Sequence, residues 1–170
     1  MSVLVAAWHE IRRNAETSQV RSTRESARKF NVNLPSNLAK IQRRLRTGYV
    51  FAPAHGATPS KGPGKSGKRP IVVARLEDRI VQRAILDTLQ NAIELPNVQK
   101  VLTTKTSVGG IKGRGVSHAI EIFEERVNAG DTWVAGSDIS GFFTKIQPAM
   151  VCKYLEAAGA DKEFVELVRI

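Results

Sequence analysis

One cysteine, Cys152, and three histidines scattered at positions 9, 55 and 118 are all that this 170-residue chain offers to soft-metal chemistry. A single thiol excludes a disulfide framework, and no His/Cys set has the paired spacing of a zinc finger or a zinc hydrolase. Long apolar runs are missing as well, since no stretch approaches the roughly 18 residues of a membrane span. The opening stretch, MSVLVAAWHEIRRNAE, is too short in apolar residues for the core of a secretory signal, so the cytoplasm is the expected compartment and no membrane partner is expected. Aromatic residues make up only 6% of the chain, but apolar residues reach 42%, which suits one globular domain or most of one and is too much for a disordered tail.

Acidic side chains are scarce in the first half. Residues 1–80 hold 16 Lys and Arg against 5 Asp and Glu, whereas residues 81–170 hold 10 against 11. A field of one sign over half of a chain concentrates a polyanion, and neutralising phosphates with Lys or Arg releases counterions. Nucleic acid is the expected partner; a solvated basic surface or an anionic membrane surface is the alternative that charge alone leaves open.

Periodicity predicts short helices over about 3–14 and 21–29. Leu34, Leu38, Ile41 and Leu45 then advance by four, three and four residues, with Lys40, Arg43, Arg44 and Arg46 on the other side and Gly48 as a stop. Tyr49–Phe51 and Ile71–Ala74 read as two strands around a Gly/Lys-rich tip, which makes a hairpin. A long amphipathic helix is expected from Leu76 to about Leu95, ended by Pro96. Another helix covers Val116–Val127, and Thr132–Ser137 reads as a buried-type strand that delivers Asp138 at its end. Helices from about Pro148 to Ala158 and from Asp161 onward follow.

Two glycine-rich stretches invite phosphate-loop readings. Gly64-Lys65-Ser66 ends like a Walker loop, but Pro59 stands where that loop needs its first glycine, and no helix follows. Gly110-Ile111-Lys112-Gly113-Arg114-Gly115 lacks the spacing of a dinucleotide fingerprint; it is either a plain loop or a backbone that approaches nucleic-acid phosphates beside Lys112 and Arg114. Asp138, closing an apolar strand, suits a Mg²⁺ site for nucleotidyl transfer or equally an N-cap of the turn that follows. Nothing has the spacing of a helix-turn-helix regulator.

Four segments fall in succession: Lys68-Arg69-Pro70-Ile71; Asp78-Arg79-Ile80-Val81-Gln82-Arg83-Ala84-Ile85; Ser107-Val108-Gly109-Gly110-Ile111-Lys112-Gly113-Arg114-Gly115 with Ala119; and Asp138-Ile139-Ser140-Gly141-Phe142-Phe143. In this order they resemble bacterial reverse transcriptases of the group II intron and retron-like branch, over about residues 34–155. The resemblance implies an α+β right-hand polymerase fold, mostly helical. Residues 1–33 would be a helical extension, 34–130 the fingers with their β-hairpin, and 131–170 the start of a palm. It implies an RNA template, a DNA or RNA primer and dNTP as partners, with Mg²⁺ as cofactor.

Under that resemblance Asp138 is catalytic and bridges the metal ions, and the Ile139 carbonyl is a further ligand. Lys68 and Arg69 hold the triphosphate, with Arg75 beside them and the amides around Gly141 and Phe142 facing it. Phe143 lies beneath the incoming sugar and selects against a 2′-hydroxyl, unless Phe142 and Phe143 are both core. Lys40, Arg43, Arg44, Arg46, Lys61, Lys65, Lys112 and Arg114 would grip RNA. The chain departs from the family pattern in two places: no Tyr-x-Asp-Asp turn occurs before Ile170, and Val73-Ala74 stands where Ile-Pro is usual. The expectation is therefore a polymerase part inactive by itself and completed by the missing palm and thumb or by another chain; the alternative is a non-catalytic RNA-binding module.

Overall fold

The computed structural model describes the chain apart from Lys61, Pro63, Lys65, Arg69 and Ile170, with the backbone alone at Phe143 and Thr144. Nine helices and two strands are found among the described residues. They are α1 (Ser2–Glu16), α2 (Arg21–Val32), α3 (Leu34–Thr47), β1 (His55–Ala57), β2 (Ile71–Val73), α4 (Leu76–Asn91), α5 (Pro96–Thr103), α6 (Val116–Asn128), α7 (Phe142–Lys145), α8 (Pro148–Ala157) and α9 (Lys162–Val168). The class is α+β and mostly helical, as expected. Two compact units, Met1–Thr88 and Leu89–Ile170, divide the chain within α4.

In the first unit, α1 turns Leu4, Ala7, Trp8, Ile11 and Ala15 to one side and buries all five. Trp8 is fully enclosed, its ring tilted against Phe30 of α2 with centroids 4.7 Å apart. Its indole N–H finds no acceptor among the described residues, so packing alone holds it. Burying a side chain of this size contributes on the order of 3 kcal/mol. Leu38 and Ile41 of α3 complete this layer, and the Asn37 amide donates to the Phe30 carbonyl at 2.8 Å to fix the α2–α3 turn. Residues 1–33 therefore share a core with α3. Gly48, at φ 100°, ends α3 in a backbone conformation that a side chain would strain.

The hairpin differs from the expectation. Tyr49–Phe51 is not a strand; the partner of β2 is His55–Ala57, paired antiparallel with His55 opposite Val73 and Ala57 opposite Ile71, and a further bridge joins Ser60 to Lys68. The reason lies in α4. Buried Asp78 takes the Tyr49 hydroxyl at 2.7 Å and the Ala52 N–H at 3.1 Å, so this segment spends its polar groups on α4 and not on a ladder.

Pro96 does not end the preceding helix but opens α5, where a first-turn proline lacks no hydrogen bond. In the second unit Cys152, Leu155 and Val165 form a small core with Leu89, Val98, Ala160 and Val168 packed around it. Gly159, at φ 90°, turns α8 toward α9, which Asp161 caps by accepting from the Phe164 N–H at 3.1 Å.

The palm strand expected over Thr132–Ser137 is absent. That segment is irregular, with Trp133 93% exposed. A strand requires a neighbour for its N–H and C=O groups, and the one sheet among the described residues is β1–β2.

Candidate nucleic-acid interface

The division into units follows the division of charge. Residues 1–88 carry 17 Lys and Arg against 6 Asp and Glu; residues 89–170 carry 9 against 10. All the excess positive charge thus belongs to the first unit, which also holds a cleft of about 910 Å³. Ile71 and Val73 of β2 give this cleft an apolar side, and Lys29 of α2, His55 of β1, Arg75 and Arg79 bring cationic or polar heads to it. Ser22, Thr23 and Ser26 line it from α2, and Glu77 is the one acidic residue of its lining among the described residues.

Of the residues singled out in the sequence, Arg75 lines this cleft. Lys68 is exposed at the bridge to Ser60, while Lys61, Lys65 and Arg69 lie outside the described residues. On α3, Lys40, Arg43 and Arg46 project into solvent. Arg44 is committed to the fold: its guanidinium lies 4.3 Å from the centre of the Tyr49 ring and donates to the Val50 carbonyl at 2.8 Å.

The Tyr49–Asp78 pair anchors the approach to the hairpin. Burial, then the hydrogen bond to Asp78 and its negative charge, push the Tyr49 phenol well above its ordinary range, against a smaller opposing effect of Arg44. Tyr49 therefore stays a neutral donor at any physiological pH. Its position places the exit of α3 on the first turn of α4, from which Arg79 reaches the cleft.

In the second unit the glycine-rich loop is tied down from within. Arg114 donates to the carbonyls of Thr104 at 2.6 Å and Ser107 at 2.8 Å, and Gln90 donates to the Gly110 carbonyl at 2.7 Å. Arg114 thus organises this loop, and Lys112, exposed between Gly110 and Gly113 at φ 72° and 78°, is the cation it presents. Asp138 is exposed in the irregular stretch before α7, with Ile139 beside it at 64% exposure. Gly141, at φ 63°, turns the chain into α7, whose first residue, Phe142, is 47% exposed. The side chain of Phe143 lies outside the described residues.

The Asp138 carboxylate and the Ile139 carbonyl are adjacent hard oxygen donors and fit Mg²⁺ in kind. Together they would supply two oxygen ligands to such an ion. Among the described residues no three His, Cys, Asp or Glu side chains gather as one metal set, so further ligands would be water, substrate phosphates or carboxylates from elsewhere. Among the described residues, no helix is long and apolar enough to cross a membrane.

Sequence reasoning did not find Lys29, His55 and Arg79 as one lining, nor the tie between Asp78 and Tyr49. Asp78 and Arg79 stood in a recognised segment, but an aspartate in a first helical turn reads as ordinary dipole charge. No model of a known protein family matches the chain, and no curated protein matches it closely enough to mark a relative.

Proposed function

We propose that this chain provides the fingers and the opening palm segment of an RNA-directed DNA polymerase, binding RNA template, primer and dNTP. The observation that carries the reading is the cleft of the first unit. A single strand needs an apolar surface for its bases and cations for its backbone, and the cleft combines Ile71 and Val73 with Lys29, Arg75 and Arg79. The hydroxyls of Ser22, Thr23 and Ser26 suit the ribose 2′-hydroxyl. The four sequence segments in polymerase order support the second part of the proposal.

Lys68 and Arg69 then hold the triphosphate, and Asp138 with the Ile139 carbonyl would hold Mg²⁺. When bound, the metal supplies neutralisation of the leaving phosphates and activation of the primer hydroxyl. Asp138 would place one carboxylate at the reacting end, and the remaining carboxylates would come from a completing palm and thumb segment or a partner chain. A second reading, a non-catalytic RNA-binding module, is favoured by the absence of a strand before Asp138.

RNA binding is tested by a salt titration of the triple variant Lys40→Gln, Arg43→Gln, Arg46→Gln. Losing three phosphate contacts should flatten the log–log salt slope by about 2 units on single-stranded RNA. Arg44 is left out because its guanidinium is held by Tyr49 and Val50. A slope equal to that of the parent removes α3 from the interface.

Sugar selection is a separate expectation. With Phe143 beneath the incoming sugar, Phe143→Val in the completed enzyme should cut the kcat/KM preference for dNTP over rNTP by about a hundredfold, because a removed clash admits the added hydroxyl. Phe142→Val should leave the preference unchanged. Movement at Phe142 and not at Phe143 reverses the assignment.

A further inference from the structure

Helix α2 is a wall with a cavity on each side. Ser22, Thr23, Ser26 and Lys29 face the large cleft, and on the opposite side Arg24, Arg28 and Asn31 face α1 across a notch of about 290 Å³ completed by Arg12 and Glu16. This separation follows from the helical repeat, because positions 24, 28 and 31 form one row and 22, 26 and 29 another. We propose that the notch is a phosphate-binding site that takes a backbone phosphodiester of RNA, a second point of grip behind the cleft. The inference rests on the RNA-binding part of the proposed function and not on its polymerase part.

The ion pairs on these two helices show why the notch calls for an anion. Arg12 pairs with Glu16, Arg13 with Glu10 and Arg21 with Glu25, so the three glutamates of α1 and α2 are each matched to an arginine. Arg28 breaks that arrangement. It stands four residues after Arg24, where a glutamate would complete another pair and where a like charge costs helix stability. The notch thus collects three guanidinium groups against one carboxylate.

The groups are also partly ordered in advance. Half-buried Arg24 donates to the Ser18 carbonyl, which fixes its guanidinium, and Arg12 is held through Nε by Glu16 with its terminal nitrogens left over. Arg28 has no bond within the chain among the described residues. A planar fork with remaining N–H groups matches phosphate oxygens, and ordering it beforehand reduces what binding must immobilise. A lipid surface is a poorer occupant, since the apolar side of α1 (Leu4, Ala7, Trp8, Ile11) is spent in the core and offers nothing to insert.

The test uses the 170-residue chain, a labelled unstructured RNA and fluorescence anisotropy over a salt series. Arg28→Gln should flatten the log–log slope by about 0.7 units, and adding Arg24→Gln by about 0.7 more. Arg28→Lys, which keeps the charge, should restore most of the slope. Arg21→Gln removes the same charge from the same helix outside the notch and should change nothing. Equal flattening by Arg21→Gln and Arg28→Gln would show diffuse charge and overturn the site, as would a parental slope in Arg28→Gln. A thermal shift with inorganic phosphate that Arg28→Gln abolishes, combined with an unchanged RNA slope, would also overturn it, because the notch would then serve free phosphate. Flattening by Arg28→Gln together with failure of the α3 triple variant leaves the notch standing and removes only α3.

Discussion

Primer extension is expected to fall at least about a thousandfold when Asp138 becomes Asn in the chain completed by a segment bearing the Tyr-x-Asp-Asp turn, the order of magnitude for losing a charge that acts on the transition state. The substitution is informative because Asp138 has no structural duty to lose. It is exposed and has neither a hydrogen bond nor an ion pair among the described residues. The amide keeps the shape, so thermal unfolding and RNA affinity should match the parent while extension is lost. Extension that survives Asp138→Asn would remove the metal-bridging role from Asp138. The 170-residue chain alone, with one such aspartate, should extend nothing; extension by it would refute the need for carboxylates from elsewhere.

What could be read from the sequence was what depends on neighbours in the chain. The apolar spacing of Leu38 and Ile41 and the basic positions between them located α3 and its exposed Lys40, Arg43 and Arg46. Arg44 sits in the same run and reads identically, yet it stacks on Tyr49, a partner whose position depends on Asp78, 29 residues further along. For the same reason Tyr49–Phe51, good strand formers by composition, lost the strand to His55-Gly56-Ala57, whose propensity is poor. Trp133 and Val134 have strand composition as well, but pairing is non-local and no ladder reaches them among the described residues. Pro96 is ambiguous by nature, since a proline both follows helices and begins them. The cleft brings together Lys29, His55 and Arg79, separated by up to 50 positions, and no local pattern announces such a meeting.

Asp78 carries the largest expected effect on stability. Asp78→Ala leaves the Tyr49 hydroxyl and the Ala52 N–H without an acceptor at a site where the carboxylate is 2% exposed, and should cost the first unit about 2–4 kcal/mol. Tyr49→Phe removes one of those two bonds and should cost about half as much. Intrinsic fluorescence isolates the effect: Trp8, fully buried, reports unfolding of the first unit, while Trp133 is already in solvent. The Tyr49 contribution also has a definite pH dependence. In the folded chain burial and Asp78 hold the phenol protonated far above its ordinary value of 10.0, whereas in the unfolded chain it ionises normally. The associated stability is fully present below about pH 10 and declines as the pH rises beyond it, because only the unfolded state gives up the proton. The Trp8-monitored urea midpoint should therefore fall more steeply above about pH 10 in the parent than in Tyr49→Phe. Equal alkaline slopes in the two proteins would show that Tyr49 ionises freely, and the buried bond to Asp78 would then be wrong.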